Sequence, residues 1–280
     1  FESEKARSIL TFPVLFLGAM PSEIPALYTL MNYADLKLGT WYPEGGMNAL
    51  AQALHKIGIK NNVKFNFNQP VKSIINNDHS FSALETDKGL FKFDYLINSA
   101  DYQFVEQNLL PKKFRRYDEN YWNNRKMAPS SLIFYIGVNK KIDNLEHHNL
   151  FFDEDLKEHG DEIYTTKRWP TKPLFYACAP SKTDSDVAPS GSENLFILIP
   201  IATDLEDSEE IREKYFNLII DRLETRTKSS IKEHIVYKKS FCVEDFKSEY
   251  NSFKGNAYGL ANTLMQTAHL KPKMKSKLNN

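Results

Sequence analysis

A pair of adjacent glycines, set between an aromatic segment and an amphipathic helix, is the feature that most constrains this sequence. Gly45 and Gly46 lie inside the stretch Tyr-Pro-Glu-Gly-Gly-Met-Asn-Ala-Leu at residues 42–50. Glycine lacks a Cβ and can take positive φ, and the first turn of a helix leaves backbone N–H groups free. The segment is therefore predicted to be a place where the backbone comes close to a large planar ligand.

A helix and a series of short strands are predicted after the glycine pair. Apolar residues recur at helical spacing until Gly58, which we interpret as the helix stop. The polar run at residues 76–79 and the turn Asp87-Lys88-Gly89 separate the strands of a predicted β-meander. The predicted strands are residues 63–67, 71–75, 82–86, 90–93 and 94–101.

The second half of the chain is predicted to form a sheet with one long helix. Its strand candidates are apolar and rich in β-branched or aromatic residues. An amphipathic helix is predicted at residues 207–225, and residues 181–192 have the Ser, Asp, Pro and Gly content of a loop. The predicted strands are residues 132–138, 175–179, 195–199 and 231–241.

The first 41 residues are expected to be helical, including residues 22–33 after Pro21. The longest apolar run, residues 9–20, is shorter than the roughly 20 residues that a bilayer-spanning helix needs, and Pro13 interrupts it. We therefore expect no transmembrane helix here. The run is interpreted either as a buried helix pair or as an apolar surface that lines a substrate tunnel or touches a membrane, and the two interpretations are compatible.

Composition excludes some partners and indicates a cellular compartment. Lysine plus arginine and aspartate plus glutamate both number 36, so a neutral average surface gives no indication of nucleic-acid binding. The two cysteines, Cys178 and Cys242, have no C-x-x-C or metal-ligand spacing, which is typical of buried thiols in a reducing cytoplasm.

Several different short motifs follow one another along the chain. The glycine-pair segment is followed by Asp-x-x-Ile-Asn-x-Ala-Asp at residues 94–101, by the strand Ser-Leu-Ile-Phe-Tyr-Ile-Gly at 131–137 and by Leu-x-His-His at 145–148. Pro-x-x-Thr-Asp and Ala-Pro-x-Gly follow within residues 179–191. The last motifs are Asp-Phe at 245–246, Asn251, Gly-x-Ala-x-Gly at 255–259 and Gln-Thr-Ala at 266–268.

In this order the motifs resemble those of the carotenoid (phytoene) desaturases, FAD-dependent members of the amine-oxidase-like flavoprotein group. The resemblance implies an α/β fold in which part of a Rossmann-like FAD-binding lobe joins a mixed β-sheet substrate domain with helices. It implies a helical substrate-domain portion at residues 1–41, a partial FAD-binding domain at 42–110 and the substrate-binding domain at 111–280. The G-x-G-x-x-G segment with which the family begins is missing from the sequence, so we expect an internal piece of a longer desaturase.

The resemblance also implies which residues contact FAD. Gly45 and Gly46 would approach the cofactor, the backbone of Val71 would pair with the adenine edge, and Ser99-Ala100-Asp101 would lie where the returning strand passes the cofactor. The alternatives are that the glycines form only a tight turn, that Val71 is only a sheet residue, and that Asp101 caps the following helix, residues 102–110. No catalytic acid or base is assigned.

Metal and acyl-transfer chemistry find no support in the sequence. His147 and His148 are adjacent, and adjacent residues of a strand point to opposite faces, so we expect them not to hold one ion together. The other histidines show no H-x-x-x-H or H-E-x-x-H pattern, and no serine lies in a G-x-S-x-G elbow. No metal site is predicted.

The function that the resemblance implies is FAD-dependent desaturation of a carotenoid precursor, of the phytoene-to-lycopene type, in carotenoid biosynthesis. The implied partner is a long apolar polyisoprenoid, and the implied location is the cytoplasm, with peripheral membrane contact. One alternative is another FAD-dependent isoprenoid desaturase or saturase of the same group, such as a carotenoid 3,4-desaturase or a C30 desaturase. A flavin-free lipid-binding module is the alternative from a different class.

Overall fold

The structure, a computed structural model, describes residues 2–11, 17–76 and 80–277. A three-stranded antiparallel sheet contains β1 (Ser73–Asn76), β2 (Phe81–Thr86) and β3 (Gly89–Lys92), in that order. The predicted meander is confirmed, although residues 77–79 of its first turn lie outside the described residues.

A five-stranded sheet dominates the second half of the chain. Its strands lie in the order β5-β6-β7-β4-β8, and every neighbouring pair is antiparallel, so the mixed sheet that we expected is antiparallel instead. The four predicted strands are confirmed within a few residues. The strands are β4 (Ser130–Val138), β5 (His148–Phe151), β6 (Phe175–Cys178), β7 (Glu193–Ile201) and β8 (Ile235–Phe241).

Helices connect these strands and flank the sheets. The α-helices are α1 (Glu4–Thr11), α2 (Met47–Lys60), α3 (Tyr102–Phe104), α4 (Glu119–Asn123), α5 (Leu156–Gly160), α6 (Glu209–Thr227) and α7 (Val243–Tyr250). Three π-helical segments are Tyr33–Leu38, Val105–Leu109 and Asp161–Thr166. The 3-10 turns are Pro21–Glu23, Ala26–Leu30, Lys112–Phe114, Pro180–Lys182, Ser185–Val187, Lys232–His234, Phe253–Gly255, Leu264–Gln266 and Ala268–Leu270.

The main core lies between one face of the five-stranded sheet and α6. The Ser208 hydroxyl caps the start of α6 by accepting from the Ile211 N–H at 3.3 Å. Fully burying a large apolar side chain stabilises a fold by about 1.5–3 kcal/mol, so this layer holds the second half together. Core side chains include Leu132, Phe134, Ile136, Val138, Leu195, Ile197, Ile199, Ile201, Phe216, Ile219, Ile220 and Leu223. Both cysteines are free and buried, as predicted.

Two predicted strands before residue 102 do not form. Residues 63–67 and 94–101 have no ladder partner among the described residues, and a strand needs a hydrogen-bonded neighbour to be stable. Gly58 does not end α2, which continues to Lys60. A Cβ at Gly58 would lie 2.6 Å from the Phe65 ring, so the glycine makes room for that ring instead.

The first 41 residues are helical only in short pieces. Pro25 separates two 3-10 turns where one helix over residues 22–33 was expected, because proline removes a backbone donor and restricts the residue before it. Residues 12–16 of the long apolar run lie outside the described residues. Among the helices that the structure describes, none has the length and hydropathy to cross a bilayer.

Candidate active site

The sheet face opposite α6, here called the open face, is lined by apolar and aromatic side chains from all five strands. Directly paired residues of neighbouring strands share a face, so the register defines cross-strand rows. One row is Leu150, Tyr176, Leu198, Ile133 and Phe241. The adjacent row is His148, Cys178, Phe196, Tyr135 and Lys239.

Aromatic contacts link the strands of the open face. The Tyr135 and Phe196 rings lie 5.5 Å apart, and the Phe196 and Tyr176 rings 6.3 Å apart, in edge-on arrangements that aromatic pairs favour. Tyr135 keeps 41% of its surface exposed despite lying mid-sheet. The open face is therefore a preformed apolar surface that a long hydrocarbon can cover.

A cleft of about 530 Å³, here called the aromatic cleft, adjoins one edge of the open face. On one side lie Ser99, Ala100 and Asp101, three of the predicted FAD residues. Rings and aliphatic side chains of β4, β8 and α7 also line the cleft, together with a turn before residue 260. These further lining residues are Ile133, Tyr135, Phe241, Phe246, Tyr250, Ser252, Asn256, Ala257 and Gly259.

Asp101 caps the helix that follows it. Its Oδ1 accepts from the Phe104 N–H at 2.9 Å, and its Oδ2 accepts from the Phe253 N–H at 3.4 Å. Burial raises the pKa of this carboxyl, although the backbone donors oppose the rise. Asp101 thus fixes the position of residues 99–100 against the 253–255 turn, and the capping alternative is observed.

Small residues on one wall of the aromatic cleft fit a flat ligand such as an isoalloxazine ring. Ser99, Ala100, Ala257 and Gly259 have short side chains or none. A Cβ placed on Gly259 would meet no heavy atom within 4 Å, so this wall leaves open space beside the backbone. Because aromatic side chains also line the cleft, a planar group could stack there.

The glycine pair lies outside the aromatic cleft. Gly45 and Gly46 have φ of 76° and 81°, and the Gly45 N–H donates to Asp184 Oδ2 at 2.9 Å. A Cβ at Gly46 would lie 3.0 Å from the Tyr42 hydroxyl. Gly46 is the N-cap of α2 without a side-chain cap, so the helix start presents backbone N–H groups.

The predicted FAD residues therefore occupy three separate places. Residues 99–101 lie together in the aromatic cleft, while the glycine pair adjoins a cavity of about 500 Å³ that Tyr42, Glu44 and Asp184 line. Val71 is half-buried, two residues before β1, and lines none of the cavities found in the described part of the chain.

The two adjacent histidines do not point apart, and that expectation was wrong. Their ring centroids lie 4.3 Å apart, because His147 precedes β5 and only His148 belongs to the strand. Burial lowers the pKa of both imidazoles, so both are neutral at pH 7.

An apolar cavity of about 100 Å³ adjoins the other edge of the open face. Leu150, Tyr176 and Leu198 of the open face line it together with side chains from the α5 region. Burial raises the pKa of the Tyr164 hydroxyl strongly, because ionisation would place a charge in this apolar region. The apolar surface thus continues from the aromatic cleft across the sheet to this cavity.

Sequence reasoning missed the residues of the open face. Both alternating positions of β4 and β7 are apolar, which is a sign that neither face of the sheet is left to water. That signal was available in the sequence. The rows themselves were not, because they depend on which strands pair and in which register.

The fold and cleft define a class of protein: an α/β lobe of a flavoprotein, with an apolar antiparallel sheet beside the aromatic cleft. Two solved structures share the fold. A reduced UDP-galactopyranose mutase matches with a TM-score of 0.52 and 18% identity over 86% of this chain and 47% of its own. An oxidoreductase from Methanosarcina mazei matches with a TM-score of 0.54 and 16% identity over 85% of this chain and 53% of its own.

Residues 1–280 match the model of the flavin containing amine oxidoreductase family, and the chain belongs to that family. The α/β flavoprotein fold and the FAD cofactor predicted from the sequence are confirmed.

Curated relatives confirm the resemblance to carotenoid desaturases. A carotenoid 3,4-desaturase of Haloarcula japonica is 38% identical over 276 residues, covering 99% of this chain and 56% of the relative. A 4,4'-diapophytoene desaturase of Staphylococcus haemolyticus is 31% identical over 96% of this chain and 56% of the relative. A zeta-carotene-forming phytoene desaturase of Myxococcus xanthus is 28% identical over 97% of this chain and 53% of the relative. The chain spans about half the length of these relatives.

Proposed function

We propose that the protein containing this chain is an FAD-dependent oxidoreductase that desaturates CH–CH bonds of a carotenoid precursor, of the phytoene-to-lycopene type. The observation that carries the proposal is the continuous apolar open face, which leads into the aromatic cleft beside residues 99–101. The alternative within the group is desaturation near the end of the carotenoid. It is favoured by the 38% identity to a carotenoid 3,4-desaturase.

The chain's residues would bind and orient the substrate. A polyisoprenoid without charged groups binds through buried apolar area, at about 25 cal/mol per Å², so the rings of Tyr135, Phe196 and Tyr176 supply contact and exclude water. When bound, the flavin supplies a hydride acceptor for the carbon atom that is oxidised. Placing the reacting carbons at the aromatic cleft is then the main task of the open face.

The FAD contacts that we propose are Gly45, Gly46, Val71, Ser99, Ala100 and Asp101. The two larger core clusters support the proposed division into an FAD portion at 42–110 and substrate portions at 1–41 and 111–280. One core centres on Ile74, Phe81 and Val105, with Phe114 added from just beyond residue 110, and the other lies between the five-stranded sheet and α6. The largest core thus lies entirely within residues 111–280.

The activity can be tested in the full-length protein expressed in a phytoene-accumulating host. We expect a flavin absorption band in the purified protein and desaturated pigments on chromatography. Phe196→Asp places a charge on the open face and should abolish the pigments while the flavin band remains. Leu90→Asp, on exposed β3 (62% of Leu90 is exposed), is the matched control and should keep the pigments. A flavin-free full-length protein, or an active Phe196→Asp variant, would contradict the proposal.

We also propose peripheral contact with the cytoplasmic side of a membrane, because a hydrocarbon substrate dissolves in lipid. The support is a series of exposed apolar side chains before the glycine pair, among them Trp41 with 89% of its surface exposed. Interfacial tryptophan and leucine commonly insert into the headgroup region. The series contains Leu27, Leu30, Tyr33, Leu36, Leu38 and Trp41.

Vesicle flotation tests the membrane contact. The full-length protein should float with phosphatidylcholine vesicles, and Leu36→Asp combined with Trp41→Asp should release it because charges resist insertion. Leu90→Asp serves again as the control and should float like the parent protein. Equal flotation of all three proteins would rule out this segment as the membrane contact.

A further inference from the structure

His147, His148 and Cys178 form a cluster at the β5–β6 edge of the open face, here called the His-Cys cluster. One potential metal-binding atom of each residue lies within 4.8 Å of the corresponding atoms of the other two. Cys178 Sγ lies 4.0 Å from His148 Nδ1. Zinc–ligand distances of about 2.0–2.3 Å place neighbouring ligand atoms of a tetrahedral site roughly 3.3–3.8 Å apart, so small side-chain adjustments bring the three atoms into range.

The surroundings of His147 prepare one of its ring nitrogens for a metal ion. Its Nδ1 lies 2.6 Å from the Thr183 hydroxyl, and that hydroxyl donates its own hydrogen to the Pro180 carbonyl at 3.5 Å. In the tautomer in which Nδ1–H donates to the Thr183 oxygen, the lone pair is on Nε2. That Nε2 is buried and has no hydrogen-bond partner among the described residues, while His147 as a whole is only 9% exposed.

A hydrogen bond from the other ring nitrogen is the usual support of a metal-binding histidine. Thr183 provides that support for His147. His148 Nδ1, which lies 4.0 Å from Cys178 Sγ, contacts the Tyr176 hydroxyl at 2.6 Å and would exchange that contact for the metal ion. A buried donor or acceptor without a partner normally costs about 1–3 kcal/mol. A ligand on His147 Nε2 would remove that cost.

We propose that the His-Cys cluster binds one zinc-class divalent metal ion through two imidazoles and one thiolate. Two nitrogens and one sulfur are a donor set that Zn²⁺ and Co²⁺ accept in tetrahedral geometry. Binding forms the metal–sulfur bond and releases the Cys178 thiol proton to solvent. His147 and His148 both line the cavity that Tyr42, Thr183 and Asp184 also line, from which water could reach the metal ion.

The site would have a structural role near the glycine pair. It would join β5 and β6 to the loop that contains Thr183 and Asp184, and Asp184 accepts the Gly45 N–H. A metal ion would therefore hold the loop that supports the proposed FAD contact. The proposal stands on the cluster alone and does not depend on the desaturase activity.

Cobalt titration of the EDTA-treated full-length protein tests the site. We expect one equivalent of Co²⁺ to give visible d–d bands and a near-ultraviolet thiolate charge-transfer band, with Zn²⁺ displacing the cobalt. Cys178→Ser should remove the charge-transfer band. Thr183→Ala, which removes only the support of His147, should weaken affinity roughly 10–100-fold. His234→Ala, at an exposed histidine outside the cluster, should leave the titration unchanged.

A second measurement does not depend on whether the variants fold. In the unmodified protein, bound Zn²⁺ should slow alkylation of Cys178 by iodoacetamide at least tenfold, as read by mass spectrometry, and EDTA should restore the rate. The proposal would be overturned by the absence of stoichiometric Co²⁺ binding, by an unchanged spectrum in Cys178→Ser, or by alkylation that is insensitive to metal.

Discussion

Two glycines with almost the same backbone conformation differ in how much space surrounds them. Gly46 and Gly39 have almost the same φ, 81° and 80°. A Cβ at Gly46 would lie 3.0 Å from the Tyr42 hydroxyl, whereas one at Gly39 would meet nothing within 4 Å. A substitution at Gly39 would therefore add backbone strain alone, whereas one at Gly46 would add both backbone strain and a close contact with Tyr42.

Gly39→Ala should destabilise the protein by about 1 kcal/mol, because alanine resists the left-handed region. Gly46→Ala should have the same backbone cost and a further loss of stability, since Tyr42 must also move. Urea unfolding of the two variants measures the difference. Equal losses would show that the Tyr42 contact has no energetic weight.

Asp153 binds two arginines of α6 and anchors that helix to the end of β5. Its carboxylate contacts Arg222, and Arg226 donates to Oδ2 from Nε and Nη2 at 3.1 and 3.0 Å. Burial alone would raise the pKa of Asp153, but the charge and N–H groups of the arginines lower it below its ordinary value. A lowered pKa gives stability that is present above the unfolded-state pKa and lost as pH falls through the folded-state pKa.

Asp153→Asn should therefore cost about 1–3 kcal/mol at pH 7, and the difference from the parent should shrink below about pH 4. Unfolding by urea at several pH values measures this. Asp221→Asn, at a more exposed carboxylate 3.9 Å from Lys232 Nζ, is the control and should have little effect. A difference that stays constant from pH 7 to pH 3 would refute the ionic explanation.

Helix α6 has a buried side and an exposed side, and two residues that are adjacent in sequence lie on opposite sides. Ile219 is fully buried against the five-stranded sheet, and Leu218 is 36% exposed. Ile219→Ala should destabilise by about 2–5 kcal/mol because it leaves a cavity, and Leu218→Ala by much less. Thermal and urea unfolding test the pair. Similar losses in both variants would mean that α6 is not packed as described.

Elements could be predicted wherever local pattern decides them. β4 and β7 agree with the sequence prediction because runs of apolar, β-branched and aromatic residues marked them, and α6 because of its apolar periodicity. The Asp101 cap follows from a local hydrogen bond. Residues 63–67 have strand-like residues but no pairing partner in the described part of the chain. The approach of His147 to Cys178 likewise depends on strand register, which spacing along the chain does not reveal.

The whole molecule leaves much apolar surface exposed in the proposed FAD portion. One side of α2 is uncovered, and Phe65 and Phe67 stack nearby at a ring distance of 5.9 Å. Exposed patches of this kind bind partners or apolar dyes. The exposed α2 residues are Met47, Leu50, Leu54 and Ile57.

The 280-residue chain should therefore bind an apolar fluorescent dye such as anilinonaphthalene sulfonate in its folded state. Leu54→Glu combined with Ile57→Glu should reduce the fluorescence, whereas Leu264→Glu, at an exposed leucine far along the sequence, should reduce it less. Size-exclusion chromatography in parallel checks that the variants remain folded. Dye fluorescence that does not respond to the α2 changes would show that the exposed surface lies elsewhere.

The cross-strand rows of the open face have a fixed length, which is set by the number of strands in the sheet. Neighbouring strands lie about 4.8 Å apart, so the five strands from β5 to β8 measure roughly 19 Å across. A rod-shaped guest lying along a row meets one side chain per strand, and sliding it by one strand would present a different bond to residues 99–101. Sheet width, rather than any single pocket, would then decide which bond along the rod is chosen.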